Sequence, residues 1–290
     1  MPKHSDIDRD WVEAKMDDFS ATLNLWPTPA RTALVIGHPG HELMVHGWLE
    51  ATRPLVFVIT HGSGRSNQSR LASTTKIINQ AGARCGSIYG RLTDAESYAA
   101  ILNHDFDLFV GLARELRDAF VAERIDYVAG DAFEGYNPMH DVCRLVINAA
   151  VTLARRSNGH RVRNLEFSLI TPPTVSHEPP HDDGICRLLD DAAFAKKMAA
   201  ANAYTELARE VEAAVDRTSI AALRVECLRS ADPGSGKHVS DQPPFYESYG
   251  EKQVAAGHYE KVIRYRDHIA PLEEALSRYA GALKDLGYEH

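Results

Sequence analysis

The sequence predicts an α/β fold: a Rossmann-like three-layer sandwich with a mostly parallel sheet and a C-terminal helical and loop elaboration. Three observations predict it. Short, β-branched apolar runs without alternation at 32–36 and 55–59 give the pattern of strands buried on both faces, and a further run at 125–129 reads as another strand. Stretches of helical periodicity separate these runs, as in a doubly wound sheet. Two of the runs end in a glycine followed by a dense group of ionisable residues, as expected where the carboxyl ends of parallel strands form a site.

Ile7, Trp11, Val12, Met16 and Phe19 give residues 7–22 an amphipathic helical spacing, and Trp26-Pro27-Thr28-Pro29 breaks it. After the strand at 32–36, residues 42–50 read as a helix, 55–59 as the second strand, Gly62-Ser63-Gly64 as a loop and 67–82 as a helix. A third strand is expected at 85–89, a helix at 106–123, a strand at 125–129, a helix at 139–156 and a strand at 165–170. The Pro, His and Asp content of 172–186, which includes His177 and His181, reads as a loop and possible cover. An alanine-rich helix is expected over 190–217, a Gly/Pro/Ser loop over 230–248, and a final helix over 271–286. The whole chain, 1–290, reads as one domain, with its core at about 30–170 and the elaboration at about 172–290.

A hydrophobic fraction of 44% and a charged fraction of 25% are those of a globular chain with a sizeable core. The net charge of −8 and the lack of basic blocks argue against a nucleic-acid partner. No apolar run reaches membrane-spanning length, and the N-terminus lacks a signal peptide's pattern, so no membrane partner is expected. Cys85, Cys143, Cys186 and Cys227 are widely spaced, and in a chain read as cytoplasmic they are expected to be reduced. The partner expected is a small-molecule substrate, with homo-oligomerisation left open.

The first loaded strand end reads Gly37-His38-Pro39-Gly40-His41-Glu42, and the second runs from Gly130-Asp131 to His140-Asp141. His38 and His41 stand three apart across a tight turn, near enough to chelate together, and His140 would complete a three-histidine divalent-metal site with room for water. Glu42 and Asp141 follow ligands directly and are expected to orient the imidazoles. In residues 243–268, Tyr249 and its aromatic neighbours read either as a substrate-facing lid or as a surface segment packed on the domain. Residues 251–266 also fit a helix with Val254, His258, Val262 and Tyr265 on one face, with His258 as a packed histidine.

At these residues the sequence resembles the LmbE-like, or PIG-L, family of zinc-dependent de-N-acetylases. The family's AHPDDE motif is met by Gly37-His38-Pro39-Gly40-His41-Glu42, and its HPDH-like motif by Asn137-Pro138-Met139-His140. Gly135-Tyr136 and Thr60-His61-Gly62-Ser63-Gly64-Arg65 also fit, over roughly 30–170. The resemblance implies zinc as the cofactor, His38 and His140 as ligands, and His41 in place of an aspartate ligand. The family's general base falls at Gly40, which takes no proton, and its second-motif histidine at Asn137, which can still donate to an oxyanion.

The expected activity is therefore metal-dependent hydrolysis of an amide, an N-acyl group on a sugar-like or other polar small molecule. Glu134 is expected as replacement base, with Asn137 and Asp141 as further catalytic residues and Arg65, Tyr136 and Tyr249 on the substrate. A metal enzyme of different chemistry and a non-catalytic member of the same fold remain the alternatives, because of Gly40.

Overall fold

The computed structural model describes residues 30–64, 68–158, 161–170, 184–217, 220, 222–231 and 242–282. The expected helix over 7–22, Arg65, and the 172–186 loop with His177 and His181 fall outside these residues wholly or in large part.

Residues 32–36 form β1 (Thr32–Ile36), and every one of its side chains is buried, as its unbroken apolar run requires. Its alternate residues serve two cores. Ala33 and Val35 join one cluster, and Leu34 and Ile36 join the other. β2 (Leu55–Thr60) and β4 (Tyr127–Asp131) flank β1 in parallel, β3 (Arg84–Leu92) pairs with β2, and β5 (Arg163–Phe167) pairs with β4, all parallel. The order is β3-β2-β1-β4-β5-β7-β6, where β6 is Ile185–Leu188 and β7 is Val225–Ser230, and these last two pair antiparallel. The chain thus builds outward from β1 to β3, then returns to the other side of β1 for β4. That reversal opens a crevice beyond the carboxyl ends of β1 and β4.

One face of the sheet is covered by α4 (Phe106–Ala122), α5 (Pro138–Asn158) and α9 (Ala270–Ala282), which contribute Phe109, Leu116, Val146 and Leu272. The other face carries α1 (His46–Thr52), α2 (Leu71–Gln80) and α6 (Asp191–Ala203), with Trp48, Leu49, Ile78 and Ala201. No helix among the described residues is long and apolar enough to cross a membrane.

Several elements depart from the sequence reading. α3 (Asp94–Leu102) was not expected, although Thr93 and Glu96 form a complete capping box at its start. The helix expected over 190–217 is two, α6 and α7 (Ala208–Arg217), with a 3-10 turn at Thr205–Leu207. The break comes at Tyr204, buried in the core, whose hydroxyl meets Thr74 Oγ1 at 3.0 Å and donates to the Arg70 carbonyl at 3.1 Å. No breaker residue marks it; the tertiary anchor makes it.

The helix expected over 251–266 is α8 (Phe245–Ala255), which starts earlier and ends earlier. Glu247 explains the shift: it accepts from the Tyr265 N–H at 2.9 Å and from Arg264 at 3.1 Å, holding the following segment beside the helix rather than in it. His258 is consequently exposed, not packed. The 172–186 loop gives way to β6 at Ile185, and β7 was not foreseen.

The cysteines also require correction. Cys186 and Cys227 lie opposite each other in the β6–β7 pair and form a disulfide, while Cys85 and Cys143 are free. Cross-strand proximity, which no sequence spacing displays, is the reason.

Candidate metal centre

His38 lies just beyond β1, and His41 opens the 3-10 turn His41–Val45 that follows. His140 stands in the first turn of α5, beyond β4. The crevice brings the three imidazoles together: ring centroids are 5.4 Å apart for His38 and His41, 5.2 Å for His38 and His140, and 4.5 Å for His41 and His140. Two imidazoles on one tetrahedral zinc would have centroids about 5 Å apart, from metal–nitrogen bonds of about 2.0–2.1 Å.

The outer nitrogens are held by the protein. Asp131, fully buried at the end of β4, meets His41 Nδ1 with both oxygens at 3.0 Å and accepts from the Gly37 N–H at 2.8 Å. His38 Nδ1 meets Thr60 Oγ1 at 2.8 Å and Asp94 Oδ1 at 3.3 Å. A carboxylate behind a ligand imidazole fixes its tautomer and turns the other nitrogen's lone pair outward. His38 Nε2 and His140 Nδ1 are buried with no hydrogen-bond partner among the described residues. Burial, reinforced by His41 and His38, holds the His140 pKa well below its ordinary value, so this ring is neutral, the form that binds metal. Asp94 stays charged: burial opposes ionisation, but the His38 ring, the Gly64 N–H and the Thr60 hydroxyl together pull its pKa far down.

The donor set thus fits a divalent ion: three imidazoles, unclaimed buried nitrogens on two of them, and carboxylates behind two. No group of three or more His, Cys, Asp or Glu among the described residues is set, as the side chains stand, to hold a metal.

The remaining predicted residues take other places. Glu42 and Asp141 do not orient the imidazoles. Fully buried Glu42 accepts from the Gly40 N–H at 2.7 Å and Thr74 Oγ1 at 2.7 Å. Burial raises its pKa, against the pull of these hydrogen bonds. Asp141 accepts from the Glu134 and Gly135 N–H groups, both at 3.1 Å, and so shapes the loop between β4 and α5. Its other oxygen is buried with no hydrogen-bond partner among the described residues, and burial pushes its pKa up to about 8. Glu134, the expected base, binds the Ser168 hydroxyl and accepts from the Leu169 N–H at 2.8 Å and the Ile170 N–H at 3.2 Å. Its carboxylate secures the segment after β5.

Asn137 precedes α5, and its Oδ1 accepts from the Met139 N–H at 2.8 Å and the Tyr98 hydroxyl at 3.3 Å. That arrangement fixes the amide and leaves its NH2 group as the donor side. Tyr136 is exposed and stacks on Phe245, with centroids 5.0 Å apart and planes 4° from parallel; Tyr249 lies 6.0 Å beyond Phe245.

At Gly40 the change from the resembled motif has a steric partner. Its φ is +104°, and a Cβ there would stand 2.2 Å from Leu207 Cδ1. The place of a carboxylate at this position is filled by an apolar side chain from the C-terminal elaboration.

Sequence reasoning missed Asp94, Thr60 as a histidine partner and Leu207. Asp94 was within its reach: it follows a strand end by the same rule that found His38. The rule misfired because β3 was expected to stop at 89 and instead runs to Leu92.

No family model matches the sequence, and no curated protein does. The A40926 pseudoaglycone deacetylase Dbv21 has a similar solved structure, with 16% identity, 69% of this chain and 96% of that chain covered, and a TM-score of 0.48. The conserved protein TT1542 from Thermus thermophilus is similar at 17% identity, with 73% and 100% covered and a TM-score of 0.48. The zinc-inhibited form of teicoplanin deacetylase Orf2 is similar at 13% identity, with 70% and 100% covered and a TM-score of 0.45. At identities and scores this low, the chemistry rests on this chain's own residues.

Proposed function

We propose that this chain is a metal-dependent hydrolase that cleaves an amide, an N-acyl group on a sugar-like or other polar small molecule, with His38, His41 and His140 as the ligands of one divalent ion, zinc first among the candidates. The observation that carries the reading is the convergence of these imidazoles at the strand-order reversal, with Asp131 and Asp94 behind two of them.

A divalent ion held by His38, His41 and His140 would polarise a carbonyl and bring the pKa of water toward neutrality, so that an adjacent carboxylate base would not be obligatory. The protein's own groups do the rest. Asp131 and Asp94 hold two rings in the tautomer that presents Nε2 inward. Asn137, its Oδ1 occupied, offers its NH2 to an acyl oxygen as negative charge develops there. Leu207 over Gly40 excludes a proton acceptor from that side. The same plug favours one second reading, a metal enzyme of different chemistry on this scaffold.

Elemental analysis of the wild type and of a His38→Ala/His140→Ala variant, each after incubation with zinc, tests the centre. The expected result is about one equivalent in the wild type and none in the variant. Absence of metal from the wild type would overturn the reading. Metal without acid release from any N-acyl compound would favour the second one.

A further inference from the structure

The disulfide between Cys186 and Cys227 closes the chain at an outer edge of the sheet. There β6 pairs with β7 alone, and β7 meets β5 through two residue pairs, Leu165 with Ser230 and Glu166 with Arg229. A two-stranded ribbon on so short a seam has little stability of its own. Along β7, Glu226 and Leu228 are buried on the face that carries α1, so alternation turns Cys227 to the opposite face. Both cysteines are half-buried, and a thiol from solvent can reach the bond.

The loop closed by this bond holds side chains that grip the segment from Gly40 to Trp48, which carries His41. Leu189 packs where a side chain on Gly47 would begin, and Leu207 does the same at Gly40. Lys197 Nζ donates to the Met44 carbonyl at 3.1 Å. The Tyr204 hydroxyl meets Thr74 Oγ1 at 3.0 Å, and Thr74 donates to Glu42 at 2.7 Å. Glu226 accepts from the Gly47 and Trp48 N–H groups at 2.9 and 3.0 Å. All of these residues of the loop lie within 189–226, inside one covalent ring whose ends meet at Cys186 and Cys227. Three more ties to the α1 and α2 side, Lys196 with Glu50, Glu206 with Ser73 and Glu210 with Arg70, are exposed and weak.

We propose that the Cys186–Cys227 pair is a redox clasp on the histidine turn. As a disulfide it keeps the 186–227 loop pressed on residues 40–48; as two thiols it lets the loop open and the turn loosen. The reductant is a dithiol. One of its thiolates attacks a sulfur of the pair, forming a mixed disulfide and releasing the other cysteine, which takes up a proton. The reductant's second thiol then displaces the first. Two electrons pass to the protein, both cysteines end as thiols, and the reductant ends as a disulfide. Opening follows because the bond restricts the loop's open conformations, and cutting it raises the open fraction. The loosening stands on these contacts alone, whereas its effect on metal affinity rests on the three-histidine centre of the hydrolase reading.

Hydrogen exchange on the metal-free full chain compares the oxidised wild type, the wild type in a dithiol, and a Cys186→Ser/Cys227→Ser variant. The Gly47 and Trp48 amides are expected to exchange at least about tenfold faster in the dithiol and in the variant, with the amides of α4 changing less. Reoxidation should restore protection in the wild type, and the dithiol should leave the variant unmoved. A pair that resists the dithiol in the folded protein, or an equal change in α4 and the turn, overturns the proposal, because the bond is then a staple of global stability. Zinc affinity of the oxidised wild type and of the variant, by competition with a chelating dye, is the second readout; serine keeps new thiols from taking the metal. The variant is expected to bind zinc about tenfold more weakly, and equal affinities overturn the clasp's hold on the centre. Faster exchange at Gly47 with no zinc bound by either form would keep the clasp and remove the metal-dependent reading.

Discussion

At the scale of single residues, Gly40 and Asp141 show how neighbours decide a role. Gly40 combines a left-handed φ with Leu207 lying where a side chain would begin. Gly40→Asp should cost about 1–3 kcal/mol in chemical denaturation through strain and overpacking, without raising activity. Pairing it with Leu207→Ala should recover part of that loss, and full stability of the single variant would refute the steric account. Asp141 has a folded-state pKa near 8, raised first by burial and then by Glu134. The folded state therefore holds a proton that the unfolded chain releases. Its contribution is fully present below the unfolded value of about 3.9 and is lost as pH rises toward 8. In metal-free protein, the thermal midpoint should fall by about 5 °C or more between pH 5 and 8. Asp141→Asn should flatten that decline; an unchanged pH profile would show that the carboxyl is ionised in the folded state.

At the scale of elements, β7 ties the C-terminal elaboration to the core. Fully buried Glu226 accepts from the Gly47 N–H at 2.9 Å, the Trp48 N–H at 3.0 Å and Lys197 Nζ at 3.0 Å. Lys197 also donates to the Met44 carbonyl at 3.1 Å, so α6, β7 and the start of α1 meet at one buried pair. Glu226→Ala strands a buried ammonium and two helix-start N–H groups, and should cost about 3–5 kcal/mol in denaturant unfolding. Lys197→Met should cost less, because Glu226 keeps its two backbone donors. The opposite ranking would mean that the lysine, not the helix start, is the reason for the carboxylate. These elements were the hardest to read in the sequence. Residues 225–230 mix apolar and charged side chains because Glu226 points inward to a partner far along the chain, which breaks the alternation that marks a strand.

At the scale of the whole molecule, the disulfide between Cys186 and Cys227 closes a loop across a sequence separation of 41. A closure of that length is worth up to about 4 kcal/mol against the unfolded chain. A Cys186→Ser/Cys227→Ser variant should therefore unfold at lower denaturant, and reductant should move the wild type the same way while leaving the variant unaffected. A reductant-insensitive wild type would show the pair to be thiols. The cysteines were expected to be reduced because the sequence was read as cytoplasmic, whereas a disulfide fits an oxidising environment better.

The sequence by itself determined the core α/β alternation, because fully buried parallel strands need unbroken apolar runs whose signal is local. It also determined the two strand ends and the three histidines, because the carboxyl ends of such strands converge wherever strand order reverses. Only the tertiary structure decided which carboxylates stand behind those histidines. Asp94 and Asp131 reach them from separate strand ends, whereas Glu42 and Asp141, adjacent in sequence, turn away to cap backbone. It likewise decided that Glu134 secures residues 168–170, that Leu207 fills the space at Gly40, and that Phe245 joins Tyr136. Each of these contacts joins residues more than thirty positions apart, and a local pattern of hydrophobicity carries no record of what lies across the fold.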